Sequence, residues 1–474
     1  MTSTVTARIP PPRTLLTPAE RAEHGKQARA KVPRASHAEI HLPASRPDVV
    51  TLLEEQGRSR IPGLVPVRYG RMLVSPFTYY RGAALPMAGD LAGTPVSGFT
   101  VQACGDAHLS NFGIFGTPER NLVFDINDFD ETLPAPWEWD VKRLAASLEI
   151  AGRDSGFTAK QRRTIVQAAV RGYREAMRDF ALQSNMDVFY ARADVDQLHA
   201  QLKSQLSGRQ RKAWDKGTAK ARSTDSMRAL RKMTELVDGE PRIVADPPLI
   251  VPLSDLVPDK AGMEPQIAGL IAKYRRTLEP DRRRLLEQYE MADMAHKVVG
   301  VGSVGTRCWI ILMLGRDGSD PLFLQIKEAQ RSVLAHYAGA SKYASDGQRV
   351  VAGQRLMQAA GDVLLGWLRT EVGLDGQPRS FYVRQLRDWK LSLDVAAMVP
   401  DTMRFYGEMC GWTLARAHAR SGDRIAIAAY LGGADEFDQA IADFAVAYAD
   451  QNERDFQALA NAARTGRIAV QHDL

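Results

Sequence analysis

"HKVVGVGSVGTRCWIILMLGRDGSDPLFLQIKEA", residues 296–329, is the stretch that decides the fold class. Its apolar runs are interrupted by glycines, which predicts a strand, a glycine turn, a second strand, a hairpin and a third strand. The hairpin signal is "GRDGSD", in which Gly315, Asp317 and Gly318 supply turn residues. Helical spacing dominates much of the remaining sequence. We therefore predict an α+β chain with one small sheet in its second half.

Within this stretch, Gly300, Gly302 and Gly305 match the pattern G-x-G-x-x-G. A dinucleotide-binding fold requires the third glycine to open a helix, but "TRCWIILML" follows here and favours a strand. A second interpretation is a phosphate-binding loop between two antiparallel strands, as in kinases. A third is a glycine-rich bend that binds nothing. The candidate phosphate-binding residues are Gly300, Gly302, Ser303 and Gly305.

Lys327 lies in the third predicted strand, "LFLQIKEA". Strand alternation places Leu324 and Ile326 on one face and Gln325 and Lys327 on the other. A lysine that faces the same cleft as the glycine loop can neutralise the phosphates of ATP. A lone strand lysine can also simply be solvated, but the order of loop, hairpin and lysine favours the functional interpretation.

A second group of polar residues lies in "GDAHLSNFG", 105–113, and "DINDFDE", 125–131. Phosphoryl transfer requires a group that positions the attacking hydroxyl and oxygen ligands that hold Mg²⁺. Asp106 and Asn111 are candidates from the first stretch, and Asp128 and Asp130 from the second. For Asp125 and Asp130, turn formation or helix capping is an equally simple explanation.

Composition limits the class of protein. The chain has 474 residues, of which 45% are hydrophobic and 25% charged, as expected for a globular protein of two or three domains or lobes. No apolar run reaches the roughly 18–20 residues of a membrane helix, so no membrane partner is expected. The N-terminus lacks the apolar segment of a secretory signal, and the three cysteines are scattered. A cytoplasmic location is expected.

The net charge of +6 is unevenly distributed. Residues 203–232 contain ten Lys or Arg but only two acids, Asp215 and Asp225. Such a stretch can bind a phosphate backbone, although it is more often a solvated helical face. Trp214 is its only aromatic residue, so stacking of single-stranded nucleic acid is poorly supported.

The pattern of apolar residues predicts the other elements. Residues 241–253 contain too many prolines for a central strand, and Gly152 and Gly156 predict a break in the long helical region 137–185. Residues 66–84 predict a loop that leads into a partly buried helix or turn. Strands are predicted at 121–126 and 379–389, and helices at 37–60, 137–185, 192–240, 264–296, 343–371 and from about 390 to the end.

Two sequence motifs resemble a known superfamily. "GDAHLSN" and "INDFDE" resemble the G-D-x-H-x-x-N and I-D-[WF]-[ED] signatures of aminoglycoside and choline kinases, which belong to the protein-kinase-like superfamily. The longer stretch "FTYYRGAA…GDAHLSNFGIF…LVFDINDFDETLPAPWEWDVKRLAAS" resembles the bacterial family of domain of unknown function 2252, from about residue 45 to 460. That family name implies no reaction, whereas the kinase likeness implies ATP and Mg²⁺.

The kinase likeness also implies a role for each candidate residue. Asp106 would be the catalytic aspartate, and His108 would stiffen its loop or contact the terminal phosphate. Asp140 would support the loop structurally, and Arg81 would be a phosphate ligand or a member of a structural ion pair. Metal ligands would be Asn111, Asp128 and Asp130, and phosphate contacts would be Gly300, Gly302, Ser303, Gly305 and Lys327.

The order of these elements departs from the kinase pattern. Kinases place the glycine loop and lysine before the catalytic loop, whereas here they follow it by about 190 residues. The resemblance therefore implies a circularly permuted two-lobed fold, and "GWTLARAHARSGD" at 411–423 resembles the helix that normally precedes the catalytic loop. The lysine should also pair with a helix glutamate. The helix after it has no acid between Asp346 and Asp362, which leaves Glu328, Asp362 or no partner.

The predicted organisation is a mostly helical catalytic lobe and a small antiparallel nucleotide lobe. Its parts are a mobile tail at 1–44, catalytic-loop elements at 45–190, a basic helical insertion at 191–290, the nucleotide lobe at 291–395, and C-terminal helices at 396–474. The implied function is transfer of phosphate, or of AMP, from ATP to a hydroxyl of an unidentified small molecule or protein. Alternatives are an ATP-binding pseudokinase or regulatory module without turnover, a metal-dependent phosphoesterase, and a nucleic-acid-binding protein.

Overall fold

The computed structural model describes residues 16–202, 208–256, 260–298, 300–373, 376–386, 389–391 and 393–472. It is an α+β structure with several antiparallel sheets. The helices are α1 (Pro18–Lys31), α2 (Val49–Gly57), α3 (Val65–Met72), α4 (Pro76–Gly82), α5 (Ala84–Ala92), α6 (Trp137–Asp154), α7 (Ala159–Leu182), α8 (Asn185–Tyr190), α9 (Val195–Leu202), α10 (Gly208–Arg222), α11 (Ser226–Met233), α12 (Leu253–Leu256), α13 (Lys260–Arg275), α14 (Pro280–Leu286), α15 (Asp346–Met357), α16 (Pro400–Ala419), α17 (Arg424–Leu431) and α18 (Glu436–Arg464). The strands are β1 (Thr100–Ala103), β2 (Phe112–Gly116), β3 (Leu122–Ile126), β4 (Leu133–Pro136), β5 (Ala193–Asp194), β6 (Thr234–Val237), β7 (Glu240–Ile243), β8 (Ile250–Pro252), β9 (Glu290–Lys297), β10 (Cys308–Leu314), β11 (Pro321–Glu328), β12 (Gly366–Thr370) and β13 (Arg379–Gln385). Single 3₁₀ turns occur at Arg34–Ala38, Pro62–Leu64, Leu109–Asn111, Val301–Ser303 and Val333–His336.

The largest sheet has the strand order β12-β13-β11-β10-β9-β8, and all its neighbours are antiparallel. Strands β10 and β11 form the predicted hairpin, in which the N–H of Gly315 donates to the Asp320 carbonyl at 2.9 Å. The proline-rich segment 241–253 contributes the edge strand β8 and most of β7 in a two-stranded sheet, so it forms no central strand, as predicted. Smaller sheets pair β1 with β4, β6 with β7, and β2-β3-β5. The prediction of a single sheet was therefore wrong.

Three segments predicted to be helical contain strands. Strands β5 and β6 lie within the predicted helical segment 192–240, β9 lies at the end of 264–296, and β12 lies within 343–371. Strand β9, with the sequence EMADMAHK, consists mostly of good helix formers, but its pairing with β8 and β10 overrides that preference. In residues 66–84, helix α3 replaces the predicted loop, while α4 agrees with the partly buried helix or turn predicted to follow it. Long-range pairing, which local periodicity does not encode, explains the strand errors.

Helices α6, α7, α16 and α18 pack around the main apolar core. Helices α7 and α16 approach so closely that a Cβ on Gly411 would lie 2.0 Å from the Ala169 carbonyl oxygen. The predicted break between α6 and α7 occurs at Gly156, where φ is +71° and glycine is strongly favoured. A reciprocal capping box between Thr158 and Gln161 then begins α7.

The N-terminal region is packed onto the C-terminal helices. The first 15 residues of the predicted mobile tail lie outside the described residues. From Pro18 onward the chain forms α1, which packs against α17, and Arg21 pairs with Asp423 at 2.8 Å. Arg34 pairs with Glu436 in the same way at 2.5 Å. This part of the segment is thus an ordered part of the fold, in contrast to the prediction.

Candidate active site

A cavity of about 450 Å³ lies between the β11 face of the largest sheet and the loops that follow β1 and β3. Such a volume is within the usual range of small-molecule sites. The predicted site residues that line it are Asp106, His108, Asn111, Asp128, Asp130, Gly300, Gly302, Ser303 and Lys327. Gly305 is not among the lining residues. It occupies a turn with φ of +85°, and a Cβ there would lie 3.1 Å from Cβ of Arg60.

The glycine loop connects two antiparallel strands, β9 and β10. Residues Val301–Ser303 form a 3₁₀ turn, and β10 follows the third glycine. This arrangement argues against the dinucleotide-binding interpretation, in which a helix would follow the third glycine. Val301 is only 8% exposed and packs in an apolar cluster with Tyr79 and Leu459. The tip of the loop is therefore anchored to the helical part of the protein.

Lys327 lies on β11 with its ammonium inside the cavity. Its Nζ lies 2.7 Å from Oδ2 of Asp130 and 3.6 Å from Oδ1 of Asp128. The side chain is almost fully buried, which by itself would lower the pKa of Lys327, but Asp128 and Asp130 outweigh burial and raise it well above its ordinary value. As the alternation predicts, Gln325 also lines the cavity, while Leu324 belongs to an apolar cluster of the sheet. Lys327 is thus a fixed cation among acids.

The acid that pairs with Lys327 is Asp130, not a helix residue. The hydroxyl of Tyr382 on β13 donates to Oδ1 of Asp130 at 2.7 Å, so both carboxylate oxygens are engaged. The two acids considered from the sequence have other partners. Glu328 pairs with Arg307 and Arg379, and Asp362 accepts backbone N–H groups.

Asp106 lies at the end of β1 and is held by an arginine that sequence reasoning missed. Both Nε and Nη2 of Arg143 donate to Oδ1 of Asp106, at 2.9 and 2.7 Å. Nε2 of His108 lies 3.8 Å from Oδ2. Burial is the main cause that lowers the pKa of His108 to about 3; Arg143 and Arg81 act in the same direction, and Asp106 opposes them. His108 is therefore neutral at pH 7 and offers a hydrogen bond, not a charge.

Asp140 supports the backbone of the Asp106 loop, as predicted. The Asp140 carboxylate accepts the backbone N–H groups of Cys104 at 2.7 Å and Gly105 at 3.0 Å. Nε2 of His418 on α16 lies 3.1 Å from the same carboxylate. Asp140, itself held by His418, thus fixes the backbone just before Asp106.

Asp125 has a structural role. It is 1% exposed, and its Oδ1 accepts a hydrogen bond from Arg416 of α16 at 2.5 Å. Its Oδ2 accepts the backbone N–H of Ala359 at 2.9 Å. A carboxylate with both oxygens engaged in the core does not reach the cavity.

The oxygens available for a divalent cation come from Asp128 and Asn111. Among the described residues, no group of three or more His, Cys, Asp or Glu is arranged to hold a metal ion. Magnesium, however, is often held by one or two protein carboxylates together with phosphate oxygens and water. Oδ1 of Asp128 is buried and has no hydrogen-bond partner, although Lys327 lies nearby. Nδ2 of Asn111 donates to the Asp106 carbonyl at 2.8 Å, which leaves Oδ1 as its potential ligand atom. These two residues fit Mg²⁺ bound to a phosphate ligand.

Glu131, which also lines the cavity, makes stability depend on pH. Burial raises its pKa to about 7, although Arg349 and the Val333 N–H act in the opposite direction. Between the ordinary value of 4.5 and about 7, the folded state holds a proton that the unfolded state has lost. Stability contributed by this group is therefore present at low pH and lost as pH rises to about 7.

We expect Glu131→Gln to flatten this pH dependence. In the wild type, Oε2 of Glu131 accepts the backbone N–H of Val333, and the amide oxygen of glutamine can retain this hydrogen bond. Relative to the variant, the wild type should lose on the order of 3 kcal/mol of unfolding free energy between pH 4.5 and 7.5, at about 1.4 kcal/mol per pKa unit. Urea unfolding at several pH values measures this difference. Parallel curves for the two proteins would contradict the assignment.

Several residues of the cavity escaped sequence reasoning. Arg143 lies three residues after Asp140 on α6, so helical spacing could have indicated that both reach the Asp106 loop. Tyr382 and Arg384 lie two residues apart on β13; Arg384 lines the cavity, and Tyr382 contacts Asp130 at its edge. Their proximity to β11 follows only from sheet order, which the sequence did not specify.

The basic stretch 203–232 forms α10 and α11, apart from residues 203–207, which lie outside the described residues. Arg211, Lys212 and Lys216 are exposed. The ring of Trp214 stacks on His199, with centroids 5.3 Å apart, so it is engaged within the protein. A nucleic-acid-binding role stays a prediction.

Comparison with known proteins identifies the family to which this chain belongs. The profile of the family described as "Uncharacterized protein conserved in bacteria (DUF2252)" matches residues 60–462, and the chain belongs to this family. No curated protein and no solved structure matched the chain significantly. In the described part of the chain, no helix has the length and apolar character needed to span a membrane.

Proposed function

We propose that this protein is a Mg²⁺-ATP-dependent phosphotransferase with a circularly permuted protein-kinase-like fold, which acts on a hydroxyl of its acceptor. One observation carries the proposal. The glycine loop, Lys327, Asp106, Asn111 and Asp128 all line one cavity, although the two groups lie about 190 residues apart in sequence. These are the parts that phosphoryl transfer requires: a phosphate loop, a cation, a positioner for the hydroxyl, and oxygen ligands.

The strand arrangement supports the kinase likeness. The glycine loop joins β9 and β10, Lys327 lies on the adjacent strand β11, and helix α15 follows β11 in the chain. Kinases have the glycine loop, the lysine strand and the following helix in this order. In the proposed fold the six-stranded sheet belongs to the nucleotide lobe, and α6, α7, α16 and α18 belong to the helical lobe.

The contact between α16 and β1 supports the permutation. The backbone N–H of Gln102 in β1 donates to Oγ of Ser421, just after α16, at 3.0 Å. A Cβ on Gly422 would lie 2.6 Å from Cγ1 of Val101. The helix that resembles the one before a kinase catalytic loop thus ends beside the strand that leads into Asp106. Permutation leaves such core contacts unchanged.

In the proposed reaction, the acceptor hydroxyl oxygen attacks the terminal phosphorus of ATP. The bond from that phosphorus to its bridging oxygen breaks, and ADP leaves with the electron pair. The hydroxyl proton passes to Oδ2 of Asp106, because Oδ1 is occupied by both N–H groups of Arg143. Arg143 and the Asp140-supported backbone keep the Asp106 carboxylate oriented.

The other residues of the cavity would bind the phosphates. Lys327 would supply the cation, and Asp130 and Tyr382 would fix its position before the nucleotide enters. Asp128 and Asn111 would hold Mg²⁺, which neutralises phosphate charge and orients the terminal phosphate. Asp130 was also predicted as a metal ligand, but its two engaged oxygens favour the role of lysine partner.

Mg²⁺-ATP is expected to raise the melting temperature of the protein. At about 100 times Kd, the ligand should add roughly 2.7 kcal/mol of stability. Asp128→Asn and Lys327→Met should each abolish this shift, because one removes a metal ligand and the other the phosphate cation. Matched controls outside the cavity are the exposed residues Asp443 and Lys212, changed in the same way. A wild type that shifts with neither ATP nor another nucleotide would overturn the proposal.

One observation favours a second candidate, an ATP-binding module without turnover. The two hydrogen bonds from the Arg143 guanidinium make Oδ1 of Asp106 a poor proton acceptor. If Oδ2 also fails to accept the proton, the protein would bind Mg²⁺-ATP and show no transfer. Measurement of ATP turnover in protein that binds ATP separates the two candidates.

A further inference from the structure

Arg81 stands in the last turn of α4, between the glycine loop and the Asp106 loop. Helix α4 packs against the 3₁₀ turn of the glycine loop and against α6. A Cβ on Gly302 would lie 3.5 Å from the Arg81 carbonyl oxygen, so the end of α4 adjoins the loop backbone. The Arg81 side chain lines the same cavity as Asp106 and Lys327.

The Arg81 guanidinium has no hydrogen-bond partner among the described residues, and its Nε is fully buried. Its neighbour Arg143 differs, since it donates to Asp106 and to the Tyr80 carbonyl at 2.9 Å. Burial lowers the pKa of Arg81, and only the negative charge of Asp106 acts against burial. A partly buried guanidinium with unused donors is suited to an anion with several oxygens, such as phosphate.

The position of Arg81 relative to the glycine loop is fixed by packing. Tyr79, two residues before it, lies in the same apolar cluster as Val301 of the glycine loop. The loop is held further by the segment before α3, where the N–H of Ile61 donates to the Gly305 carbonyl at 2.8 Å. Nη1 of Arg60 donates to the Val304 carbonyl at 2.5 Å. Helix α4 and the loop therefore present one preformed surface.

We propose that Arg81 binds the terminal phosphate of the nucleotide and stabilises the charge on that phosphate during transfer. The inference rests on the proposed function, because a phosphoryl group in transit must lie between the glycine loop and Asp106, and Arg81 borders both. Lys327 reaches the phosphates from the sheet, whereas Arg81 reaches them from an N-terminal helix. An arginine that touches the transferred group acts as an arginine finger does, here supplied by the same chain.

Arg81→Gln should weaken binding of the nucleoside triphosphate but not of the diphosphate. One charge-assisted hydrogen bond contributes about 1.5–3 kcal/mol, so affinity for Mg²⁺-ATP should fall by about 10–100-fold, while affinity for Mg²⁺-ADP stays within about twofold. ATP turnover should fall as well, and Arg81→Lys should recover part of the loss. The matched control is Arg331→Gln, since Arg331 is an exposed arginine of the same cavity. It should affect both nucleotides equally.

Isothermal titration calorimetry of the full chain with Mg²⁺-ATP and with Mg²⁺-ADP measures both affinities. Equal losses for both nucleotides in Arg81→Gln, or no loss for either, would overturn the role of Arg81 while the proposed function stands. An effect of Arg331→Gln as selective as that of Arg81→Gln would also overturn it, since the cause would be general charge. A wild type that binds neither nucleotide would overturn the proposed function and this inference together. Unchanged circular dichroism of each variant shows that the fold is intact.

Discussion

Asp106→Asn is expected to lower the rate of ATP turnover by about 10²–10⁴-fold, the usual contribution of a general base. Asparagine preserves the shape of the side chain and an oxygen for Arg143, but it cannot take the proton of the attacking hydroxyl. The Oδ2 that would accept this proton lies 3.8 Å from Nε2 of His108, and burial keeps that imidazole neutral. The readout is ADP formation from Mg²⁺-ATP, with water as the acceptor.

The matched control is Asp443→Asn, which alters an exposed aspartate on α18 far from the cavity. Its rate should equal that of the wild type. Asp106→Asn should still bind Mg²⁺-ATP, so the loss should appear in kcat. An Asp106 variant that turns over ATP at the wild-type rate would show that another residue, or a contaminating enzyme, performs the reaction.

Arg416→Met is expected to destabilise the protein by about 3–5 kcal/mol, the usual result of breaking one side of a buried ion pair. Arg416 on α16 and Asp125 on β3 are both about 1% exposed, with Nη2 and Oδ1 2.5 Å apart. The variant leaves the charge of the buried Asp125 carboxylate unpaired, with only the backbone N–H groups of Ile126 and Ala359 as hydrogen-bond donors. This pair joins the C-terminal half of the chain to the strand that leads into Asp128.

The control for this prediction is an exposed ion pair with a similar distance between its nitrogen and oxygen atoms. Arg163 and Asp443 are 2.6 Å apart but 43% and 53% exposed, so Arg163→Met should cost at most about 1 kcal/mol. Urea unfolding of both variants measures the difference. A cost of less than 1 kcal/mol for Arg416→Met would mean that the pair does not hold the two halves of the chain together.

The local sequence patterns were sufficient to predict many of the residues that line the cavity. The glycine pattern, the hairpin turn residues and strand alternation predicted the loop and the direction of Lys327, since each depends on neighbouring residues only. The spacing of Asp106, Asn111 and Asp128 indicated one site because each residue type has a defined task on a metal-bound phosphate. The structure brings these residues to the same cavity as Lys327.

Features that depend on distant parts of the chain could not be predicted. Strand β9 has a helix-compatible sequence and becomes a strand only through its partners β8 and β10. Asp130 pairs with Lys327 across 197 residues, so the search near Lys327, which offered Glu328, Asp362 or no partner, did not find it. The packing of α4 on the glycine loop, which brings Arg81 to the cavity, likewise follows from tertiary contacts of the N-terminal helices.

A crystal structure with Mg²⁺ and a non-hydrolysable ATP analogue would test the proposed site most directly. We expect the triphosphate between residues 300–303 and Lys327, with Nζ of Lys327 on a phosphate oxygen and the metal on Asp128 and Asn111. The terminal phosphate should lie near Oδ2 of Asp106. An analogue that is absent from this cavity at saturating concentration, or whose phosphates lie away from Lys327 and Asp128, would contradict the proposed site.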